Sequence, residues 1–326
     1  MSLSRLPDMR QDSVSAPIVE FRASTRISQD GERTTLYAVD SDLAGGVPAN
    51  LRDEAGQDLS GLLELLFERP GLAVEQLPPP LAELYDGELG LRRPLLYANF
   101  VTSLDGITAI DPAAPGQGRL ISGGLPADRF LMGLLRAFAD VVLIGAGTLR
   151  AGADHLWSPG RVYPPAADGY QRLRESLLLP PSLPLAVVSA SGALDPALPA
   201  LAGGLILTTA AGAGRLAGRA PEGVRVLALG DGEAVSVTDV IAALRAAGYQ
   251  SILTEGGSHL FGQLLAARLV EQLFLTISPT LAGRERATAQ IGLVEGSSLL
   301  PGIDIRGTLL SARKSDSHLF LRYELT

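Results

Sequence analysis

The chain has no cysteine, a single lysine (Lys314), three histidines and one tryptophan among its 326 residues. The missing cysteines exclude disulfides, thiolate zinc sites, iron–sulfur clusters and cysteine nucleophiles together. With its only lysine near the C-terminus, the chain carries no G-x-x-x-x-G-K-S/T phosphate loop and is a poor candidate for Schiff-base chemistry. His155, His259 and His318 are widely separated and no H-E-x-x-H occurs, so no metal site is expected. No G-x-S-x-G nucleophile elbow occurs either. Positive charge is also short, with 27 Lys+Arg against 35 Asp+Glu and a net charge of −8, which argues against a nucleic-acid partner. No uncharged apolar run reaches 18 residues and the first eleven residues are polar, so neither a membrane span nor a signal peptide is expected. The expected compartment is the cytoplasm. What remains is a 46% hydrophobic chain with ample material for a globular core.

Two textures divide the sequence. Residues 1–90 read as an extension or small appended unit: a disordered arm over 2–16, a hairpin of strands at 18–22 and 34–39 around Gln29-Asp30-Gly31, and a helix over 59–67 that stops before Pro70. Pro78-Pro79-Pro80 then reads as a stiff linker. Over 91–326 short apolar runs alternate with helical periodicity. Strands are expected at 95–101, 141–144, 185–188, 205–207, 224–229, 251–254 and 273–277, with a closing edge strand at 319–325. Helices are expected at 128–139, 237–247 and 259–269, the second capped by Ser236 or Thr238 and stopped by Gly248. Alternating strands and helices imply an α/β fold, a mostly parallel sheet with helices on both faces.

Three glycine-bearing turns each follow an expected buried strand: Ser103-Leu104-Asp105-Gly106, Gly145-Ala146-Gly147-Thr148 and Glu255-Gly256-Gly257-Ser258. In open α/β sheets ligands sit at the carboxyl ends of strands. Glycine lets backbone N–H groups approach a phosphate, and a following helix N-terminus adds favourable charge. Gly212-Ala213-Gly214-Arg215-Leu216-Ala217 matches G-x-G-x-x-A, but Thr208 to Ala211 separate it from its strand. It reads as a plain helix or loop, since the fingerprint needs a tight turn directly after the strand.

These motifs carry a resemblance. The segments Ala98-Asn99-Phe100-Val101-Thr102-Ser103-Leu104-Asp105-Gly106, Asp128-Arg129-Phe130 through Leu135-Arg136, and 139–150 resemble, in order, the C-terminal reductase domain of the bifunctional deaminase–reductase of riboflavin biosynthesis. So do Ile252-Leu253-Thr254-Glu255-Gly256-Gly257 and 273–279, and the likeness extends over about residues 81–326. Within that family the chain is most similar to the stand-alone pyrimidine-reductase-like branch. The resemblance implies a dihydrofolate-reductase-like fold, a homodimer, and NADPH reducing the ribosyl group of a phosphoribosylamino-pyrimidine to its ribityl form. It implies cofactor contacts at Thr102, Ser103, Gly145, Ala146, Gly147, Thr148, Gly256, Gly257, Ser258, His259 and Leu260. Asp105 and Glu255 would be catalytic, and Arg136 would bind substrate.

Each role has a plainer counterpart. Asp105 can cap its own turn, and Glu255 and Arg136 can serve helix dipoles. Partial burial would raise the Asp105 carboxyl and let it hold a proton. The family's deaminase half is absent, because its zinc ligands include cysteines. After Thr148 the family's Asp-Asp-Pro stretch and phosphate-binding arginine give way to Arg150-Ala151-Gly152-Ala153-Asp154-His155-Leu156-Trp157-Ser158-Pro159-Gly160-Arg161, with Arg161 as the replacement arginine. Two rival readings follow: a dihydrofolate or pterin reductase, and a non-catalytic NADPH-binding protein that has lost its substrate site.

Overall fold

The computed structural model describes residues 22–27, 33–38, 61–73, 75–152, 157–284 and 290–326. It divides into two compact units, Met1–Asp58 and Leu59–Thr326, so the boundary read at residue 90 falls inside the second. In the first unit β1 (Arg22–Ile27) and β2 (Arg33–Ala38) pair antiparallel, from Arg22↔Ala38 to Ile27↔Arg33. The expected hairpin is there, its first strand lying further along the chain than 18–22; the turn at 29–31 and the arm at 2–16 lie outside the described residues.

The second unit opens with β3 (Glu64–Glu68), α1 (Pro79–Tyr85), β4 (Leu95–Thr102), a short β5 (Ile107–Ala109), α2 (Gln117–Ile121) and α3 (Pro126–Phe138). Next come β6 (Val141–Gly145), α4 (Ala146–Ala151), α5 (Pro159–Val162), α6 (Ala167–Ser176), β7 (Leu185–Val188), β8 (Leu205–Thr208), α7 (Ala210–Leu216) and β9 (Arg225–Ala228). The chain closes with α8 (Val237–Ala246), β10 (Ser251–Gly256), α9 (Ser258–Ala266), β11 (Gln272–Ile277), β12 (Ile291–Gly292), β13 (Gly307–Ser315) and β14 (His318–Leu325). One sheet of ten strands runs in the order β3-β13-β14-β11-β4-β10-β6-β7-β8-β9. From β11 to β9 all neighbours are parallel, whereas β14, β13 and β3 add antiparallel.

The parallel strands read as unbroken apolar runs because helices bury both their faces. Leu95, Tyr97, Leu253 and Phe274 pack on one face with Phe130, Leu134 and Phe138 of α3. Leu96, Ala98, Ile252 and Leu273 pack on the other with Val240 and Leu244 of α8 and Phe261 and Leu264 of α9. Pro126 opens α3, where its missing N–H breaks no helical bond. At the amino edge Asp140 Oδ2 accepts the backbone N–H groups of Gln250 and Ser251, and Oδ1 pairs with Arg93, which pins β10 beside β6.

The structure differs from the sequence reading at three elements. Residues 64–68 form β3, not part of a helix over 59–67, because β13 offers them a ladder from Lys314↔Glu64 to Ser311↔Glu68. Pro79 and Pro80 form the first turn of α1 and not a linker. β14 is an interior strand between β13 and β11, and the sheet edges are β3 and β9. The G-x-G-x-x-A segment begins within α7, a plain helix whose cap Thr209 accepts the N–H of Gly212.

Candidate active site

Strands β4, β10 and β6 are parallel neighbours, with Thr254 registered on both Ala98 and Leu143. The three glycine turns at their carboxyl ends therefore gather on one rim. Two of them touch: a Cβ on Gly256 would stand 2.5 Å from Thr148 Cγ2, so only glycine lets Thr148 rest against β10. Gly257 then turns the chain into α9 at φ 80°. The first turn is linked to the third through Thr108, whose Oγ1 lies 3.3 Å from Ser258 Oγ.

This rim fits the phosphates of a dinucleotide. No side chain caps the first turn of α9, which leaves its N–H groups for an anion. Gly145 and Gly147 have open space where a Cβ would stand. Thr102 is buried and its carbonyl accepts the Ser278 N–H at 2.8 Å, while Ala146 and Thr148 lie in the first turn of α4. Leu260 sends its side chain into the core, and the His259 ring lies against Gly296, where a Cβ would approach Nδ1 to 2.7 Å.

Beside the rim Arg136 reaches from the last turn of α3 to Glu255, with Nε and Nη2 at 2.8 and 2.7 Å from Oε2. Both side chains are buried, at 3% and 5% exposure, so Arg136 does more than complement a helix dipole. The second oxygen of Glu255, Oε1, is buried without a hydrogen-bond partner.

Asp105 does not behave as a proton-holding carboxyl. It is exposed and accepts hydrogen bonds from Ser103 Oγ at 2.6 Å, Ala282 N at 3.0 Å and Gly283 N at 2.8 Å. The Ser103 hydroxyl and these backbone donors hold it down at about 2, opposite to the rise expected from burial. Ser103 in turn accepts the Ile107 N–H at 3.0 Å. The pair latches the first turn onto residues 282–283. Arg161 is exposed on α5, which packs on α3 where Arg129 Nε donates to the Val162 carbonyl, and no described hydrogen bond or ion pair joins it to Glu255. His155 lies outside the described residues.

Two polar side chains escaped the sequence reading. Asn99 is half-buried on β4, on the face that turns to α3, as the bond from Tyr97 Oη to the Leu135 carbonyl shows for the odd-numbered positions. Asp128 is buried in the first turn of α3. Its signal is positional: Asp128, Leu131, Leu135 and Phe138 share one stripe of the helix, so an acid occupies a position on an otherwise apolar face.

Fold and rim together define an α/β domain, a mostly parallel sheet covered on both faces, with three glycine turns at the carboxyl ends of β4, β10 and β6. The model of the RibD C-terminal domain family matches residues 94–319, and the chain belongs to that family, the reductase-domain family of riboflavin biosynthesis. Among solved structures it is similar to a pyrimidine reductase-like protein from Corynebacterium diphtheriae, with 22% identity and a TM-score of 0.54 over 77% of this chain and 95% of that one. A diaminohydroxyphosphoribosylaminopyrimidine deaminase/5-amino-6-(5-phosphoribosylamino)uracil reductase from Thermotoga maritima matches at 18% identity and TM-score 0.51, over 72% of this chain and 57% of that one. The riboflavin biosynthesis reductase of Saccharomyces cerevisiae matches at 14% and 0.50, over 72% and 90%. At these identities the structural likeness speaks for the fold. No curated protein sequence matches.

Proposed function

We propose that this protein is an NADPH-dependent reductase that converts the ribosyl group of 5-amino-6-(5-phosphoribosylamino)uracil, or of a related pyrimidine, to the ribityl form. The observation that carries this reading is the assembly of three glycine turns on one rim directly beside the buried Arg136–Glu255 pair. Gly145 to Thr148 and Gly256 to Leu260 would hold the cofactor through their backbone, which supplies a hydride when bound. Ser103 and Asp105 would fix the first turn against it. Glu255, steadied by Arg136, would orient the opened sugar, and its free Oε1 is placed to accept a substrate hydroxyl. Such a reduction requires orientation and exclusion of water more than a strong nucleophile, which suits a chain poor in histidine, lysine and cysteine.

We also propose a cytoplasmic homodimer. Among the described residues no helix is long and apolar enough to cross a membrane. Edge strand β3 leaves Leu65, Leu66 and Phe67 exposed, which suits a covering subunit.

The test is thermal unfolding with NADPH and NADH, followed by turnover. At a hundredfold excess over Kd, linkage gives about 2.7 kcal/mol, or about 5–10 °C in Tm for a domain of this size. NADPH should be oxidised with the pyrimidine phosphate and not with dihydrofolate. A melting temperature unmoved by either nucleotide would remove the cofactor assignment.

A further inference from the structure

We infer that Asp128 is the general acid of this pocket, and that it supplies the proton taken up by the nitrogen attached to the sugar's first carbon. The inference rests on the reductase reading above and adds a residue to it.

The geometry begins with the direction of α3. Its C-terminus leads through residues 139–140 into the start of β6, so its first turn lies at the carboxyl edge of the sheet, level with the rim. Asp128 sits in that turn with only 7% of its surface exposed. Its carboxyl meets the hydroxyl of Thr276 of β11, whose register partner Val101 is one residue short of the end of β4. Ser122, which ends α2, faces it from a second side. The hydroxyls of Thr276 and Ser122 are buried and neither completes a hydrogen bond of good geometry. Glu255 of β10 acts on it as a charge, with its own Oε1 unpartnered.

The other charged groups near this cluster are engaged with other partners. Arg136, on the same helix, is engaged with Glu255, Arg129 donates to the Val162 carbonyl, and His318 of β14 sets Nε2 3.1 Å from the Ser122 carbonyl. No cation among the described residues pairs with Asp128. A dipole partner at a helix start works as an ionised group. Asp128 has the opposite setting: burial, and then the charge of Glu255, push its carboxyl up to about 6 against the pull of the two hydroxyls. A carboxyl that keeps its proton toward neutral pH beside a ligand rim is equipped to give that proton away.

The Asp128 O–H bond breaks as an N–H bond forms on the imine nitrogen of the opened sugar, and the imine becomes an iminium. A cofactor held at Gly145 to Thr148 and Gly256 to Leu260 would supply hydride to the iminium carbon: a C–H bond would form, the C=N bond would become single, and the cofactor would be left oxidised. Asp128 regains its proton from solvent.

The experiment measures kcat/KM for the pyrimidine phosphate with NADPH across pH 4–8 in wild type, Asp128→Asn and Asp128→Glu. The carboxyl C=O infrared band of Asp128 is followed in the free protein, assigned by its loss in Asp128→Asn. In the wild type the rate should fall as pH rises through about 6. Asp128→Asn should lose about 10²–10⁴-fold with that limb gone, and Asp128→Glu should recover part of it. The band should titrate near 6, and the NADPH-induced shift in Tm should match in all three proteins, which establishes that the variants fold. Asp128→Asn with wild-type kcat/KM and pH profile overturns the inference, as does a band titrating near the ordinary value of about 4. Failure of the wild type itself to bind NADPH or reduce any pyrimidine phosphate overturns the reductase reading instead, and the acid's role with it.

Discussion

Asp128 and Asp105 are carboxyls of one unit whose surroundings move them in opposite directions, and each leaves a measurable trace on stability. For Asp128 the unfolded chain releases its proton near 3.9 and the folded protein near 6. As pH rises through that window the unfolded state ionises first, so stability falls, by about 3 kcal/mol once both have ionised. Asp128→Asn is therefore expected to melt higher than wild type at pH 8, with the gap closing near pH 4; a gap constant across that range would remove the desolvation argument. Asp105 runs the other way. Its tether to Ala282 and Gly283 is complete above pH 4 and is lost as pH falls toward 2. Asp105→Ala should accordingly speed amide exchange at Ala282 and Gly283 at neutral pH. The sequence named Asp105 and Glu255 but passed over Asp128, because an acid in the first turn of a helix looks like a dipole partner until its neighbours are known. What separates the two aspartates is what faces them across the chain, Thr276 in one case and Ala282 in the other, and neither spacing is local.

At the scale of elements, the contact between Gly256 and Thr148 joins two strand-end turns without any hydrogen bond. Gly256→Ala should force Thr148 aside, at a cost of about 1–3 kcal/mol, and weaken NADPH binding. Adding Thr148→Ala should restore much of the loss, since it removes the methyl and hydroxyl that a Cβ would strike. The buried pair gives a second prediction: Arg136→Met leaves Glu255 buried without its cation and should destabilise the unit by about 3–5 kcal/mol, read by denaturant unfolding. The parallel strands and their turns were legible because doubly covered strands are uninterrupted apolar runs ending in glycine. β13 was not legible, because it carries Ser311 and Arg313 on its buried face. Arg313 hides its charge by stacking its guanidinium 3.7 Å from the Tyr85 ring centroid and donating Nε to the Tyr85 carbonyl. Without β13 in view, β14 looks like an edge and 64–68 has no ladder to join, so both readings went astray together.

For the whole molecule, the chain divides into two compact units, and Leu59–Thr326 carries the ten-stranded sheet with both of its covering layers. A chain of residues 59–326 is expected to fold alone and to show the same NADPH-induced shift in Tm as the full protein, checked by calorimetry. The order in which that chain builds its centre has a further effect. β4 and β6 are made early, yet the place between them belongs to β10, which arrives more than a hundred residues later. A nascent chain that has emerged only as far as Gly248 has two of the three rim turns but not the strand that sets them about 10 Å apart. Nucleotide capture should thus lag behind most secondary structure during refolding and follow the slowest native contacts, so that a reduced nicotinamide added during synthesis would reward completion of the sheet and not its beginning.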